Sequence, residues 1–194
     1  MISWLRRRFS GSALRTDEPA LPDELWLDTL ATYPFLGSLT VDARARLREL
    51  SAAFLREKEF HGADGLAVTD RMALAVAAQA CLPLVYLAPT SKPVDALHWY
   101  DDFVGIVLHP GEVLAQREVT DETGVVHQYR EALSGEAMDG GPVMLSWPDV
   151  AEAGTTAEHG YNVVIHEFAH KIDLRDGLAD GCPPLPPGFL SSTS

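Results

Sequence analysis

A short segment near residue 170 carries side chains whose types and spacing could do chemistry. It reads His166-Glu167-Phe168-Ala169-His170, with two histidines four positions apart and a glutamate directly after the first. On a helix, residues four apart lie on one face with their Cβ atoms about 5–6 Å apart. Both imidazoles can therefore bind one Zn²⁺ ion through bonds of about 2.0–2.1 Å. The spacing predicts that His166 and His170 are zinc ligands.

Glu167 completes the pattern of a metal-assisted hydrolase. A bound metal ion lowers the pKa of water towards about 7, and a neighbouring carboxylate can take the water's proton as it attacks a carbonyl carbon. We therefore expect Glu167 to act as the general base in the hydrolysis of a peptide bond.

The third protein ligand of a catalytic zinc site is not evident in the sequence. After His170 there is no further histidine and no glutamate, and the remaining acids are Asp173, Asp176 and Asp180. One helix cannot readily supply three ligands to a tetrahedral ion. Two interpretations of Asp173 stay open: it accepts a hydrogen bond from a ligand imidazole, or it is a solvated acid at the end of the helix.

The zinc pattern requires a helix, and the flanking residues predict one from about residue 161 to 175, ending near Gly177. Apolar side chains recur at helical spacing on the side away from the histidines. These are Tyr161, Val164, Ile165, Phe168, Ala169 and Ile172. The helix is expected to bury that stripe and present His166 and His170 on its other face.

The N-terminal half predicts three more helices. The first covers about 22–32 and opens with proline and acids, and Thr40 and Thr69 have the right type and position to cap the next two. The third helix is expected over about 70–81. The apolar residues Leu84-Val85-Tyr86-Leu87 are expected to form a buried strand after it.

From residue 84 to 147 the pattern changes to short β-like runs separated by Gly, Pro and Asp clusters. The runs cover residues 104–108, 113–119, 125–130 and 143–147. Pro142 precedes the last run and predicts an edge position for it. An edge strand there could pair through Val143, Met144 and Leu145 with an extended peptide substrate; the alternative is a plain core strand.

These elements predict an α+β fold in a single zincin-like domain over 1–194. It has N-terminal helices, a small mostly antiparallel sheet and the active-site helix that carries His166 and His170. Residues 1–20 are expected to be a flexible N-terminus and residues 178–194 an irregular tail.

Composition narrows the possible partners and the compartment. The chain has 15 basic and 28 acidic residues and a net charge of −13. Such a field repels phosphate backbones, so direct nucleic-acid binding is not expected. No apolar core follows the basic start, so we expect neither a signal peptide nor stable membrane association. Two widely separated cysteines indicate free thiols and a cytoplasmic location.

Four segments together resemble the Mlc titration factor A family of zinc-dependent peptidases. Residues 162–173, which include the zinc pattern, and residues 180–185 carry the closest resemblance. Residues 133–137 and 141–147 are similar to the family as well, and the resemblance extends over nearly the whole chain to about residue 187.

That resemblance implies that His166 and His170 bind zinc and that Glu167 is the catalytic base. The family is similar to gluzincin peptidases, in which a glutamate on a later helix completes the metal site, and this chain is expected to lack the family's C-terminal helices. The family is cytoplasmic, has aminopeptidase-like activity, and includes members that bind a transcriptional repressor of sugar-uptake genes. Two kinds of function follow. The first is a zinc aminopeptidase, and the alternative is either a catalytically silent, truncated homologue or a regulator-binding protein that sequesters such a repressor.

Overall fold

The computed structural model describes residues 21–87, 92–111, 113–120, 126–133, 135–137, 141–177, 181 and 183–184. The α-helices of this part are α1 (Asp23–Thr32), α2 (Pro34–Gly37), α3 (Val41–Glu57), α4 (Asp70–Cys81), α5 (Leu84–Leu87), α6 (Trp147–Thr156) and α7 (Val163–Asp173). The strands are β1 (Glu59–Gly62), β2 (Gly105–His109), β3 (Val113–Thr120), β4 (Val126–Leu133), β5 (Gly135–Ala137) and β6 (Val143–Ser146). Short 3₁₀ segments cover Pro93–Tyr100, Ala157–His159 and Leu174–Asp176. The α+β class predicted from the sequence is confirmed.

The N-terminal helices begin at the predicted residues. The hydroxyl of Thr40 accepts a hydrogen bond of 3.2 Å from the backbone N–H of Ala43, and that of Thr69 accepts one of 3.3 Å from Met72. Each bond satisfies one of the N–H groups that a helix leaves unpaired in its first turn. Both cap predictions are confirmed.

The core is built around α4, whose residues from Met72 to Cys81 are all buried. Its alanines keep the helix narrow, so other helices can approach it closely. Helices α1, α3, α6 and α7 all pack against it. This central position matters for the candidate site, because α7 carries the zinc pattern.

The strands form a four-stranded sheet with the order β1-β2-β6-β5 and a separate antiparallel hairpin of β3 and β4. Strand β2 pairs in parallel with both β1 and β6, and only β5 runs antiparallel to its neighbour within this sheet. The prediction of a mostly antiparallel sheet is wrong for β1, β2 and β6. Long connections carry the chain back to the same end of the sheet before β2 and β6, and such crossovers produce parallel pairing.

Strand β6 does not lie at the edge of the sheet, so the edge prediction is wrong. Val143, Met144 and Leu145 face β2 on one side and β5 on the other. A peptide has no open side at which to pair with these three residues, and the burial of Val143 and Leu145 agrees with a core strand. Pro142 fits because it precedes the first paired residue. Strand β5 takes the edge position among the described strands.

Residues 84–87 form the short helix α5 and not the predicted strand. Leu84 and Val85 are adjacent and both buried, whereas Tyr86 is exposed, which is not the alternation of a strand. The N–H of Leu87 donates to the carbonyl of Pro83 at 3.2 Å, as in a helical turn. Pro83 is tolerated at this start because its missing N–H would have had no helical partner there.

Helix α6 was not predicted, although its start signal is present in the sequence. Ser146 caps it by accepting a hydrogen bond of 3.5 Å from the N–H of Asp149, and Pro148 lies in its first turn. Serine followed by proline and an acid is a typical helix start. The β-like run before it obscured this signal.

Two predictions fall mainly outside the described residues: the flexible N-terminus over 1–20 and the irregular tail over 178–194. Within the described ranges, no helix has the length and the apolar character needed to cross a membrane.

Candidate metal centre

The N-terminus of α7 is attached to the buried helix α4 by one side chain. The side-chain oxygen of Asn162 accepts a hydrogen bond of 2.9 Å from the backbone N–H of Ile165, and this bond caps α7. The Asn162 amide nitrogen donates to Gln79 Oε1 at 2.7 Å, and Gln79 donates in turn to the carbonyl of Ala75 at 3.0 Å. Asn162 therefore caps the helix and positions its start at the same time.

Phe168 fixes the rotation of α7 about its axis. Its ring is fully buried and lies 5.0 Å from the ring of Tyr100, 5.7 Å from that of Phe54 and 5.8 Å from that of Phe103, measured between centroids. Such tilted aromatic contacts are favourable beyond the area they bury. With Phe168 in this cluster, His166 and His170 are exposed on the opposite side of the helix.

The predicted apolar stripe is right at its centre and wrong at its flanks. Val164, Phe168 and Ile172 are buried as expected. Ala169 is exposed beside the histidines, and Tyr161, which precedes the helix, is 48% exposed. The buried face of α7 is therefore displaced from the predicted stripe. It also includes residues outside that stripe: Val163, Glu167, Lys171 and Asp173.

The two histidines converge, as the spacing predicted. His166 Nε2 and His170 Nε2 lie 3.1 Å apart, and the imidazole planes are nearly perpendicular at 87°. Two nitrogens bound to one tetrahedral ion at about 2.0–2.1 Å are about 3.3 Å apart. The pair therefore fits a zinc ion without rearrangement of the helix.

The two imidazoles supply only part of a catalytic zinc site. In the described ranges, no group of three or more His, Cys, Asp or Glu side chains is placed to hold a metal ion. Three protein ligands are usual in catalytic zinc sites. The donor types and their separation fit zinc, and the described residues supply two of the three ligands that such a site usually has.

Glu167 differs from its histidine neighbours in burial. Its side chain is 6% exposed, whereas His166 and His170 are open to solvent. Helix α7 packs against β5 and β6. A carboxylate held inside the fold, one residue from a metal ligand, has its orientation restricted before any substrate binds.

Asp173 lies in the same groove as the histidines and is not a solvated acid. It is 7% exposed, and its Oδ2 accepts a hydrogen bond of 3.0 Å from the N–H of Gly181. Its Oδ1 is buried and has no hydrogen-bond partner among the described residues. Asp173 therefore ties residue 181 to the end of α7, and its role next to the metal stays a prediction.

A groove of about 460 Å³ opens beside the two imidazoles. The residues that line it are mainly apolar, with the two histidines and Asp173 as its titratable groups: Pro83, Leu87, His166, Ala169, His170, Ile172, Asp173, Gly181 and Pro183. An apolar groove with a few convergent polar groups is the usual form of a small-ligand or substrate site.

The pairing of Lys171 with Asp102 was not predicted from the sequence. The Lys171 ammonium is fully buried and donates to Asp102 Oδ2 at 3.1 Å. The signal was the helical spacing, since Lys171 lies seven residues after Val164 and three after Phe168, both buried. Only the fold reveals which acid it meets.

The other histidines whose side chains the structure describes do not join this centre. The ring of His98 contacts its own turn through Nδ1 at 2.7 Å from the carbonyl of Asp95, and His61 pairs with Glu59 at 3.5 Å. His159 is exposed, with Nδ1 at 3.4 Å from the carbonyl of Thr155. His109 lies at the end of β2 and does not line the groove. The side chain of His127 lies outside the described residues.

Cys81 and Tyr100 are titratable groups that lie fully buried in the core. Burial raises the pKa of the Cys81 thiol and of the Tyr100 hydroxyl well above their usual values, so both stay neutral. A buried neutral thiol is a poor nucleophile. Cysteine chemistry is therefore not supported at Cys81, and the imidazole pair remains the reactive feature.

Comparison with known proteins agrees with this geometry. The family described as glucose-regulated metallo-peptidase M90 matches residues 2–192. The chain belongs to this family. The resemblance noted in the sequence is thereby confirmed, and a metallopeptidase-type fold accounts for the paired imidazoles.

Curated relatives carry the name Mlc titration factor A. One from Salmonella arizonae is 34% identical over 165 residues, which is 84% of this chain and 61% of the relative. One from Escherichia fergusonii is 32% identical over 171 residues, or 88% of this chain and 60% of the relative. The chain thus spans about 60% of the length of the curated relatives it matches.

Proposed function

We propose that this member of the M90 family is a zinc-dependent metallopeptidase with aminopeptidase-like specificity. His166 and His170 bind the zinc, and Glu167 is the general base. The observation that carries the proposal is the 3.1 Å separation of the two Nε2 atoms on the open side of a helix whose other side is anchored in the core. The family match supports a peptidase, and the narrower aminopeptidase assignment rests on the family resemblance.

The chain's own residues account for the proton transfers of peptide hydrolysis. A zinc ion at His166 and His170 would supply polarisation of the scissile carbonyl and acidification of the attacking water. The Glu167 carboxylate takes one proton from that water as its oxygen bonds to the carbonyl carbon. When the C–N bond breaks, Glu167 returns the proton to the leaving amine. The restricted position of the buried Glu167 supports both transfers.

We further propose that a peptide substrate lies between the groove and the edge of the sheet. Strand β5 is the edge strand nearest to the site, pairs antiparallel with β6 and packs against α7. An extended peptide can add to such an edge through backbone hydrogen bonds. This position replaces the sequence-based prediction that Val143, Met144 and Leu145 pair with the substrate directly.

Replacing Glu167 tests the catalytic part of the proposal. The Glu167→Gln variant keeps the size of the side chain and loses its basicity, so zinc content should stay near that of the wild type while turnover of chromogenic amino-acid amides falls by about 10²–10⁴-fold. Glu152→Gln, on the exposed face of α6, is the matched control and should change neither quantity. Retained turnover in Glu167→Gln rejects the general-base assignment, and a wild-type chain that holds no zinc rejects the metal assignment.

A second function is supported by the names of the relatives. Proteins 32–34% identical to this chain over 84–88% of its length are called titration factors of Mlc. We propose that this chain binds a repressor of that kind, which controls sugar-uptake genes, and that it does so in the cytoplasm. The buried free thiol of Cys81 agrees with a reducing compartment.

The two functions can be separated on the same protein preparations. Binding of purified Mlc repressor to the wild-type chain and to Glu167→Gln should be equal if sequestration does not depend on catalysis. Loss of repressor binding in Glu167→Gln would instead tie the two functions to one site. Absence of binding to the wild-type chain rejects the sequestration proposal and leaves the peptidase proposal intact.

A further inference from the structure

Lys171 directly follows the metal-ligand candidate His170, yet its side chain is fully buried. Its Nζ donates to Asp102 Oδ2 at 3.1 Å and to the carbonyl of Gly141 at 3.4 Å, and lies 5.1 Å from the centre of the Phe103 ring. Removing an ammonium from water is unfavourable unless partners replace the water. The partners of Lys171 therefore restrict where α7 can lie.

The partners of Lys171 come from the segments that lead into two neighbouring strands. Asp102 precedes the first residue of β2 by three positions, and Gly141 precedes the first residue of β6 by two. Because β2 and β6 pair in parallel, their N-terminal ends lie at the same end of the sheet. The Lys171 ammonium thus connects α7 to the segments that precede β2 and β6, at one end of the sheet.

This connection affects the position of the histidine pair relative to the sheet, which the helix cannot set by itself. The separation of His166 and His170 is set by the helical repeat, since both are on α7. The position of that pair relative to the sheet depends on side chains that bridge α7 to the strands. Lys171 is fully buried and bonds to the segments before both strands, so it can determine the height of α7 relative to the sheet.

We propose that Lys171 is a positioning residue that holds the metal-binding pair in place over the sheet. Where it concerns the metal, the inference rests on the proposed function. It extends that function by naming the side chain that sets the distance between the two imidazoles and strand β5, the edge at which a peptide would bind. Lys171 itself lies inside the fold and acts through α7. Its loss shifts the metal site relative to the sheet without separating the two histidines.

Lys58 provides a matched control inside the same cluster. Its Nζ donates to the carbonyls of Tyr100 and Phe103 at 2.6 and 2.8 Å and lies 4.4 Å from the centre of the Phe103 ring. Like Lys171, it is a buried lysine beside the Phe103 ring. Its two hydrogen bonds, however, go to backbone carbonyls in the segment before β2 and not to α7. Lys58→Met therefore removes a buried ammonium from the cluster and leaves the side chains of Lys171 and Asp102 unchanged.

The test compares Lys171→Met, Asp102→Ala and Lys58→Met with the wild-type 194-residue chain. Amide hydrogen exchange of α7, measured without metal, should rise about tenfold or more in Lys171→Met and Asp102→Ala, because each loses a charged hydrogen bond, and should stay at the wild-type rate in Lys58→Met. With Co²⁺ added, the pseudocontact shifts of the β2 and β6 amides should change in the first two variants and not in the third. Co²⁺ affinity should remain within about threefold of wild type, since both histidines stay on one helix turn.

The outcomes distinguish this inference from the proposed function. Wild-type exchange in α7 and unchanged pseudocontact shifts in a folded Lys171→Met chain overturn the positioning role, as does equal loosening of α7 in Lys58→Met. If Lys171→Met does not fold, the same two readouts on Asp102→Ala decide, because Asp102 is partly exposed and tolerates truncation better. A wild-type chain that takes up no Co²⁺ rejects the metal proposal, while the exchange data still decide whether Lys171 holds the helix.

Discussion

Asn162 donates a hydrogen bond of 2.7 Å to Gln79, a residue 83 positions earlier in the chain. The same side chain caps α7 through its oxygen, so one amide joins the start of α7 to the centre of the core. Gln79 is fully buried and uses its own N–H group on Ala75, which fixes its oxygen towards Asn162. The start of α7 thus depends on the contact between Asn162 and Gln79 in the interior.

Removing this amide should cost more than removing an ordinary cap. Asn162→Ala loses both the cap and the bond to Gln79, and it leaves Gln79 Oε1 buried without that donor, so we expect the free energy of unfolding to fall by about 2–3 kcal/mol. Urea denaturation measures it. Thr40→Ala, which removes only a cap from α3, is the control and should cost about 1 kcal/mol. Equal losses in the two variants would contradict a structural role for the bond to Gln79.

Each histidine of the pair should be necessary for metal binding. His166→Ala or His170→Ala leaves a single imidazole at the site, and we expect the apparent zinc affinity to fall by about tenfold or more. Zinc content after dialysis against a buffered free zinc concentration measures the change. His98→Ala, which removes an exposed histidine far from the groove in sequence, should bind zinc like the wild type. Unchanged zinc content in both site variants would exclude the pair as the metal site.

Gly154 marks a close approach between α6 and the end of α1. A Cβ atom at this position would lie 2.3 Å from the carbonyl oxygen of Thr32, which is backbone and cannot move aside cheaply. We expect Gly154→Ala to lower the free energy of unfolding by about 2 kcal/mol.

The control for this crowding is Gly37→Ala in α2. A Cβ atom there would meet the carbonyl oxygen of Leu30 at an ordinary 3.8 Å. Because alanine favours a helix over glycine by about 0.5–1 kcal/mol, the control should be neutral or slightly stabilising. Thermal denaturation of both variants checks the pair, and a neutral Gly154→Ala would mean that α6 does not lie this close to α1.

Tyr33 should make the fold sensitive to high pH. Burial raises the pKa of its hydroxyl from 10.0 to about 12. The folded chain therefore holds this proton more tightly than the unfolded chain. The contribution of Tyr33 to the free energy of unfolding is fully present below about pH 10 and is lost as the pH rises towards 12.

The slope of stability against pH tests this linkage better than absolute stability, because Tyr33→Phe also removes the hydrogen bond of 3.1 Å to the carbonyl of Val150. We expect a shallower loss of stability above pH 10 in Tyr33→Phe than in the wild type. Some loss should persist, since burial also raises the pKa of Tyr100 and Cys81. Tyr86→Phe, at an exposed tyrosine, should keep the wild-type slope. The same slope in Tyr33→Phe as in wild type would contradict the linkage.

Local signals predicted the helices well, for a physical reason. Caps such as Thr40 and Thr69 bond to N–H groups three residues ahead, so their effect depends on sequence neighbours alone. Where local signals competed, the prediction was wrong. Residues 84–87 have strand-like composition, but the helical turn begun at Pro83 places their apolar side chains in the core equally well.

Sheet order was not accessible in this way. A single strand has the same alternation whether its neighbour runs parallel or antiparallel, so the runs at β2 and β6 did not reveal their pairing. Lys171 is a similar case. Its position three residues after Phe168 agrees with its burial, but its partner Asp102 lies 69 positions away and is brought near only by packing.

By itself, the amino-acid sequence determined that His166 and His170 lie on one face of a helix, because residues four apart meet on one face through the helical repeat alone. Tertiary structure decided everything that involves a distant neighbour: which side of α7 is buried, what Lys171 and Asn162 bond, and which strand forms the edge of the sheet. Those outcomes are sums of many contacts between segments far apart in the chain, and no local pattern contains them.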